Sequence, residues 1–221
     1  MISIAIDGPA GAGKSTVAKE LARKLGYMYI DTGALYRTVA IHLLKNKIAC
    51  DDIVSITKAL KNIEVSMSHE NDGQHVYLCG EDVTGKIRTT EVSEMASASS
   101  VIKEVRDFLF NLQTDMAKKY NVVMDGRDIG TVVLPKAQVK VFLTASADER
   151  ANRRFKEMQA NGSDETYESV LETIKLRDER DSSRAVAPLK PADDAVILDS
   201  TTLNFEEVVK TFIKIIDEKL K

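Results

Sequence analysis

The sequence predicts an α/β fold: a five-stranded parallel sheet flanked by helices, with a small antiparallel insert and a helical lid. Three observations carry that prediction. Five short apolar, β-branched runs (2–6, 27–30, 122–124, 139–143 and 195–198) lack the polar alternation of a half-solvated strand, as expected for strands buried on both faces. Helical patterns at 15–25, 34–44, 147–159, 167–181 and 205–220 separate them. Strands alternating with helices wind into a parallel sheet, whose ligands gather at the carboxyl ends of the strands.

The first strand runs into Gly8-Pro9-Ala10-Gly11-Ala12-Gly13-Lys14-Ser15, followed by Thr16 and a helical pattern. This is a full match to G-x-x-x-x-G-K-[ST], in the strand–loop–helix setting that gives the motif its meaning. The glycines let backbone N–H groups turn inward around a phosphate, and the helix N-terminus adds positive potential. Lys14 reaches the β- and γ-phosphates, and the Ser15 hydroxyl is a ligand for Mg²⁺. The second strand leads into Asp31-Thr32-Gly33-Ala34-Leu35-Tyr36-Arg37, where Thr32 is placed to cap a helix and Arg37 follows one turn in. The segment 63–83 gives two short alternating runs, 64–68 and 75–79, around the turn signal at 70–73, and has too little apolar content for a core of its own.

The third strand ends in Asp125-Gly126-Arg127-Asp128. Asp125 supports Mg²⁺ or its water shell, or else is a helix-capping or turn carboxylate. Arg127 and Asp128, leaving a strand end, suit an acceptor with both a negative group and hydrogen-bond donors. The stretch 152–184 is densely charged, with a loop at 161–164 between two helices, and buries little, as an element that opens and closes would. Arg150, Arg153 and Arg154 share one helix face, and Arg177, Arg180 and Arg184 recur on the next helix with Asp181. Arg outnumbers Lys six to two between Arg150 and Arg184, and a planar fork suits phosphate oxygens better than an ammonium does. A solvated, salt-bridged helix is the alternative for any one of them. As exposed lid residues, Arg177 and Arg184 are expected to matter more to catalysis than to stability.

Composition excludes other classes. Over 221 residues, a net charge of −3, 5% aromatics and no Trp leave neither the basic field nor the stacking platform of a nucleic-acid-polymer binder. The opening apolar run is too short for a signal peptide or a membrane span. Cys50 and Cys79 lack metal-ligand spacing and suit a reducing cytoplasm, and His42, His69 and His75 are scattered. A guanine-reading switch is disfavoured, because Asn46-Lys47-Ile48-Ala49 lacks the Asp of N-K-x-D.

Taken in order, IAIDGPAGAGKST, YIDTGALYR, DGRDIGTVV, IKLRDERDSSRAVAPL and VILDSTTL resemble the bacterial cytidylate kinases, a branch of the nucleoside monophosphate kinases among the P-loop proteins. The resemblance spans essentially the whole chain. It implies a single kinase domain over 1–221: core 1–30, 120–151 and 185–221, a monophosphate-binding region 31–119 with an insert at about 63–86, and a lid at about 152–184. It implies ATP and Mg²⁺ as cofactors and CMP or dCMP as acceptor, in a monomeric cytoplasmic enzyme with no membrane or nucleic-acid partner. It implies that ATP is held by Gly8, Pro9, Ala10, Gly11, Ala12, Gly13, Lys14, Ser15 and Thr16, with Ser15 on the metal. Thr32 and Arg37 are implied at the ribose-phosphate side of the acceptor, and Ser97, Arg106 and Asp128 around the cytosine. The resemblance implies Arg127, Arg177, Asp181 and Arg184 around the sugar and phosphates, and Lys14, Arg127, Arg177 and Arg184 as the catalytic groups. The base assignment is chemically sensible: a carboxylate accepts from the cytosine N4 amine while a guanidinium donates to N3 and O2. Uracil reverses the polarity at positions 3 and 4, so the same pair disfavours UMP. AMP, dTMP and shikimate are the competing acceptors.

Overall fold

The computed structural model describes residues 1–70, 73–160 and 162–221. Strands β1 (Ser3–Asp7), β2 (Met28–Asp31), β6 (Val122–Asp125), β7 (Val139–Thr144) and β8 (Val196–Asp199) form one parallel sheet in the order β2-β6-β1-β7-β8. Strands β3 (Val65–Glu70), β4 (Gly73–Leu78) and β5 (Glu81–Asp82) form a separate antiparallel sheet. The chain divides into two compact units, 28–122 and the remainder from residue 2 onward.

In the larger unit every β1 residue is buried, and β1 pairs in parallel with β7 from Ile4↔Val139 to Asp7↔Phe142. A central strand covered on both faces has no solvent side to alternate toward, which is why its middle residues Ile4, Ala5 and Ile6 are all apolar. Helix α1 (Lys14–Leu25) buries Val17, Ala18 and Leu21 and stops at Gly26, whose left-handed φ of 67° a side chain would strain. Helix α8 (Phe205–Lys219) starts with a reciprocal cap between Asn204 and Glu207 and buries Val208, Phe212 and Ile216. Helices α6 (Ala147–Ala160) and α7 (Tyr167–Ser183) form the expected hairpin. Its small core is Ala151, Val170 and Ile174, edged by the perpendicular rings of Phe155 and Tyr167.

The other unit contains α2 (Thr32–Lys45), α3 (Ile53–Leu60), α4 (Thr90–Ser99) and α5 (Lys103–Lys119). Its core joins Leu35, Val39 and Leu43 of α2 with Ile56, Val105 and Leu109, and takes in Val65, Val76, Leu78 and Val83 from the small sheet and its flank. The insert therefore shares a core with four helices, rather than standing apart. Its two runs reach two residues further toward the turn than the sequence reading and fall one residue short of it at their other ends, and β5 adds a third strand. The turn signal at 70–73 and the loop at 161–164 include residues 71, 72 and 161, which lie outside the described residues.

Candidate active site

In the larger unit, the loop from β1 to α1 takes left-handed φ at Gly8, Gly11 and Gly13. A Cβ on Gly8 would fall 1.9 Å from the Leu143 carbonyl oxygen, so no other residue fits against β7. Gly13 is the N-cap of α1 and no side chain caps it, which leaves the first-turn N–H groups available to an anion. Lys14 is 6% exposed and donates from Nζ to the Pro9 carbonyl at 2.7 Å. Burial holds its ammonium well below its ordinary pKa, and the charges of Arg127 and Arg177 push the same way, against Asp125 and Asp7. An arriving phosphate would reverse that imbalance.

The Ser15 hydroxyl donates to Asp125 Oδ2 at 2.8 Å, which ties the end of β6 to the glycine loop. Arg127 donates from Nε to Asp181 Oδ2 at 2.9 Å, and Arg184 Nη2 lies 3.8 Å from Asp128 Oδ1. Burial alone would raise the Asp181 pKa. Arg127 overrides it by charge and hydrogen bond, with Arg177 and Arg184 adding to the effect, and the carboxyl is held below its ordinary value. Lys14, Arg127, Asp128, Arg177, Asp181 and Arg184 thus form one connected set of charges. Arg184 is buried, contrary to the expectation of an exposed lid arginine, because it follows the last turn of α7 and its Nε donates to the Ala187 carbonyl.

The arginines of α6 lie differently from the reading that turns all three toward phosphates. Arg150 donates to the Ala10 and Ala145 carbonyls and forks onto Asp178. Arg153 bonds Glu149 and the Ser200 carbonyl, and Arg154 pairs with Glu157 at the surface. On α7, Arg180 is exposed. Sequence reasoning missed Asp7. Its carboxylate accepts from the Ile129 and Gly130 N–H groups, both at 2.7 Å, and so holds the turn that follows Asp128. Burial, with Asp128 nearby, raises its pKa to about 6 despite those bonds. A carboxylate closing an otherwise apolar strand was the available signal.

In the unit 28–122, the cap of α2 is Asp31, not Thr32: Asp31 Oδ1 accepts from the Ala34 N–H at 2.9 Å, and Thr32 is the buried first helical residue. Asp31 Oδ2 accepts from Arg37 Nη2 at 2.9 Å. The Arg37 Nε is buried and has no hydrogen-bond partner among the described residues, so a donor stands ready for an anion. Arg106, buried on α5, donates to the Ser100 carbonyl at 3.3 Å and lies over the Tyr36 ring at 5.9 Å. Ser97 is buried on α4, which packs on α2. Thr32, Arg37, Ser97 and Arg106 thus belong to one unit, and Lys14, Ser15, Arg127, Asp128, Arg177, Asp181 and Arg184 to the other.

The sequence model of the cytidylate kinase family matches residues 4–218. The cytidylate kinase of Caldicellulosiruptor bescii is 50% identical over 220 residues, which is 100% of this chain and 97% of that one. That of Fusobacterium nucleatum subsp. nucleatum is 50% identical over 220 residues, covering 100% and 99%. A crystal structure of an uncharacterized protein from Eubacterium ventriosum aligns with a TM-score of 0.54 at 15% identity, over 98% of this chain and 99% of that one, a likeness of fold alone. The chain belongs to the cytidylate kinase family.

Proposed function

We propose that this protein transfers the γ-phosphoryl group of ATP to CMP and dCMP, giving ADP with CDP or dCDP. The observation that carries the reading is the set of cations at the glycine loop. Lys14, already stripped of water, faces Arg127 and Arg177, and this repulsion is relieved when phosphates enter. Full-length identity of about half with cytidylate kinases supports the acceptor.

Residues 8–16 bind the ATP phosphates through backbone N–H groups, and Lys14 bridges toward the transferred group. Arg127, Arg177 and Arg184 neutralise charge on the phosphates and exclude water that would otherwise take the phosphoryl group. Asp181 orders Arg127 by the bond described above. Arg37, with its unsatisfied Nε, and Thr32 take the acceptor's ribose-phosphate side, and Ser97, Arg106 and Asp128 read the cytosine. The attacking acceptor oxygen is already ionised at neutral pH, so no general base is needed. Catalysis is therefore positioning plus charge compensation.

The Ser15–Asp125 pair fits Mg²⁺, which keeps most of its ligands as water and phosphate. No cluster of three or more His, Cys, Asp or Glu among the described residues could hold an ion by itself, in keeping with a metal that arrives with the nucleotide. Bound there, Mg²⁺ would neutralise the β- and γ-oxygens. No described helix is long and apolar enough to cross a membrane. The reading includes a monomeric, cytoplasmic enzyme. An ADP-release assay with CMP, dCMP, UMP and AMP tests it: CMP and dCMP should exceed UMP and AMP by orders of magnitude, and equal rates would reject it.

A further inference from the structure

We propose that Gln74, on the antiparallel insert, is a positioning residue that sets Arg37 for the acceptor phosphate by gripping the backbone of Asp31. The inference rests on the assignment of Arg37 to the acceptor. Gln74 is the second residue of β4, opposite His69 in the register of the small sheet. Its carboxamide accepts from the Asp31 N–H at 2.8 Å and donates to the Asp31 carbonyl at 3.3 Å. Strand β2 ends its sheet on one side, so among the described residues no strand is hydrogen-bonded to this edge, and one side chain supplies what a strand would. An amide is the only side chain that offers both an acceptor and a donor in that spacing.

Asp31 is the residue where the strand becomes helix. With its peptide fixed, one carboxylate oxygen caps α2 at the Ala34 N–H and the other holds Arg37 Nη2. Gly33 keeps the arrangement tight. A Cβ there would come within 3.1 Å of Asp31 Oδ1 and 3.2 Å of Arg37 Nη1. The guanidinium is thus held at one end while its buried Nε remains for a ligand. The role gives the insert a part in acceptor binding beyond its share of the core.

The test uses the full chain with Gln74→Met, which keeps bulk and removes both bonds. The KM for CMP should rise about 5-fold, the worth of one net hydrogen bond, with kcat and the ATP KM near wild type. In an Arg37→Ala background the same substitution should add almost nothing. An unchanged CMP KM, or a full 5-fold rise in that background, overturns the proposal. A second readout needs no turnover. The Arg37 Nε–Hε NMR signal, assigned by its loss in Arg37→Ala, should shift or broaden in Gln74→Met without nucleotide. A signal that stays in place overturns the proposal whatever the substrate. A moved signal in an enzyme that ignores CMP would strike the proposed function and leave the Gln74 role standing.

Discussion

Arg150 holds both carboxylate oxygens of Asp178, Nη1 to Oδ1 at 3.0 Å and Nη2 to Oδ2 at 2.6 Å, and joins α6 to α7. The same guanidinium donates to the carbonyls of Ala10, inside the glycine loop, and of Ala145, just before α6. One side chain therefore ties the phosphate loop to the helix that carries Arg177 and Asp181.

Substituting Arg150→Met should lower the unfolding free energy by about 2–3 kcal/mol, because it leaves Asp178 and two carbonyls without their donor. Asp178 keeps some access to water, which holds the loss below that of a fully buried pair. Arg150→Lys should recover only part of it, since an ammonium cannot fork. A urea midpoint equal to wild type for Arg150→Met would contradict this.

Under the proposed function, Lys14→Met should cost at least about 10²-fold in turnover, because the transferred group would lose a cation at the glycine loop. Stability should hold or improve. The folded pKa of Lys14 is depressed, so its burial penalty is fully present at low pH and is relieved as pH climbs from that value toward 10.5. The stability gain in Lys14→Met should therefore be present at neutral pH and vanish at high pH. A substantially destabilised Lys14→Met protein would refute the account.

Asp7 makes the opposite titration. Its folded pKa of about 6 exceeds the ordinary 3.8, so the folded protein holds the extra proton between those values, and stability from this group falls as pH rises through them. The span is worth about 3 kcal/mol at 1.36 kcal/mol per pH unit. Above pH 6 the charged carboxylate remains, bonded to Ile129 and Gly130 but desolvated. The difference in unfolding free energy between wild type and Asp7→Asn, measured from pH 4 to 7, should change by that order. A constant difference would show that Asp7 does not titrate there.

All five parallel strands and the helices α1, α2, α6, α7 and α8 were legible in the sequence, most boundaries falling within a residue or two. Burial on both faces leaves an uninterrupted apolar run, and the cap and stop residues mark the helices. Helices α3, α4 and α5 were not legible. On α5 the buried face includes Arg106 and Gln113 among Val105, Leu109 and Ala117, so polar residues interrupt its apolar stripe. Helix α4 buries Ser97 and Ser99 for a similar loss of signal. At the candidate site, the loop that carries Lys14 and Ser15 was visible because its left-handed backbone demands glycine at Gly8, Gly11 and Gly13. The role of Asp31 and the grip of Gln74 were not, since each depends on a partner brought near only by folding.

Asp128 provides the sharpest test, because its proposed role depends on which base is bound. It is buried, it precedes the turn held by Asp7, and its Oδ1 lies 3.8 Å from Arg184 Nη2. Two roles are therefore open to measurement: acceptance from the cytosine N4 amine, or support of Arg184 at the phosphates. Asp128→Ala under the first role removes a charge-assisted bond worth about 1.5–3 kcal/mol, a loss of roughly 10–100-fold in kcat/KM for CMP. UMP offers no donor at that position and should lose far less, so the preference for CMP over UMP should narrow while the ATP KM stays near wild type. Under the second role both acceptors lose equally, because both carry the same phosphate. Asp128→Asn sharpens the distinction, since its amide oxygen can still accept from N4, whereas its amide nitrogen meets Arg184 with no negative charge. Partial recovery of CMP selectivity in Asp128→Asn, without recovery of the common rate, would assign the carboxylate to the base, and equal losses for CMP and UMP in both variants would assign it to Arg184.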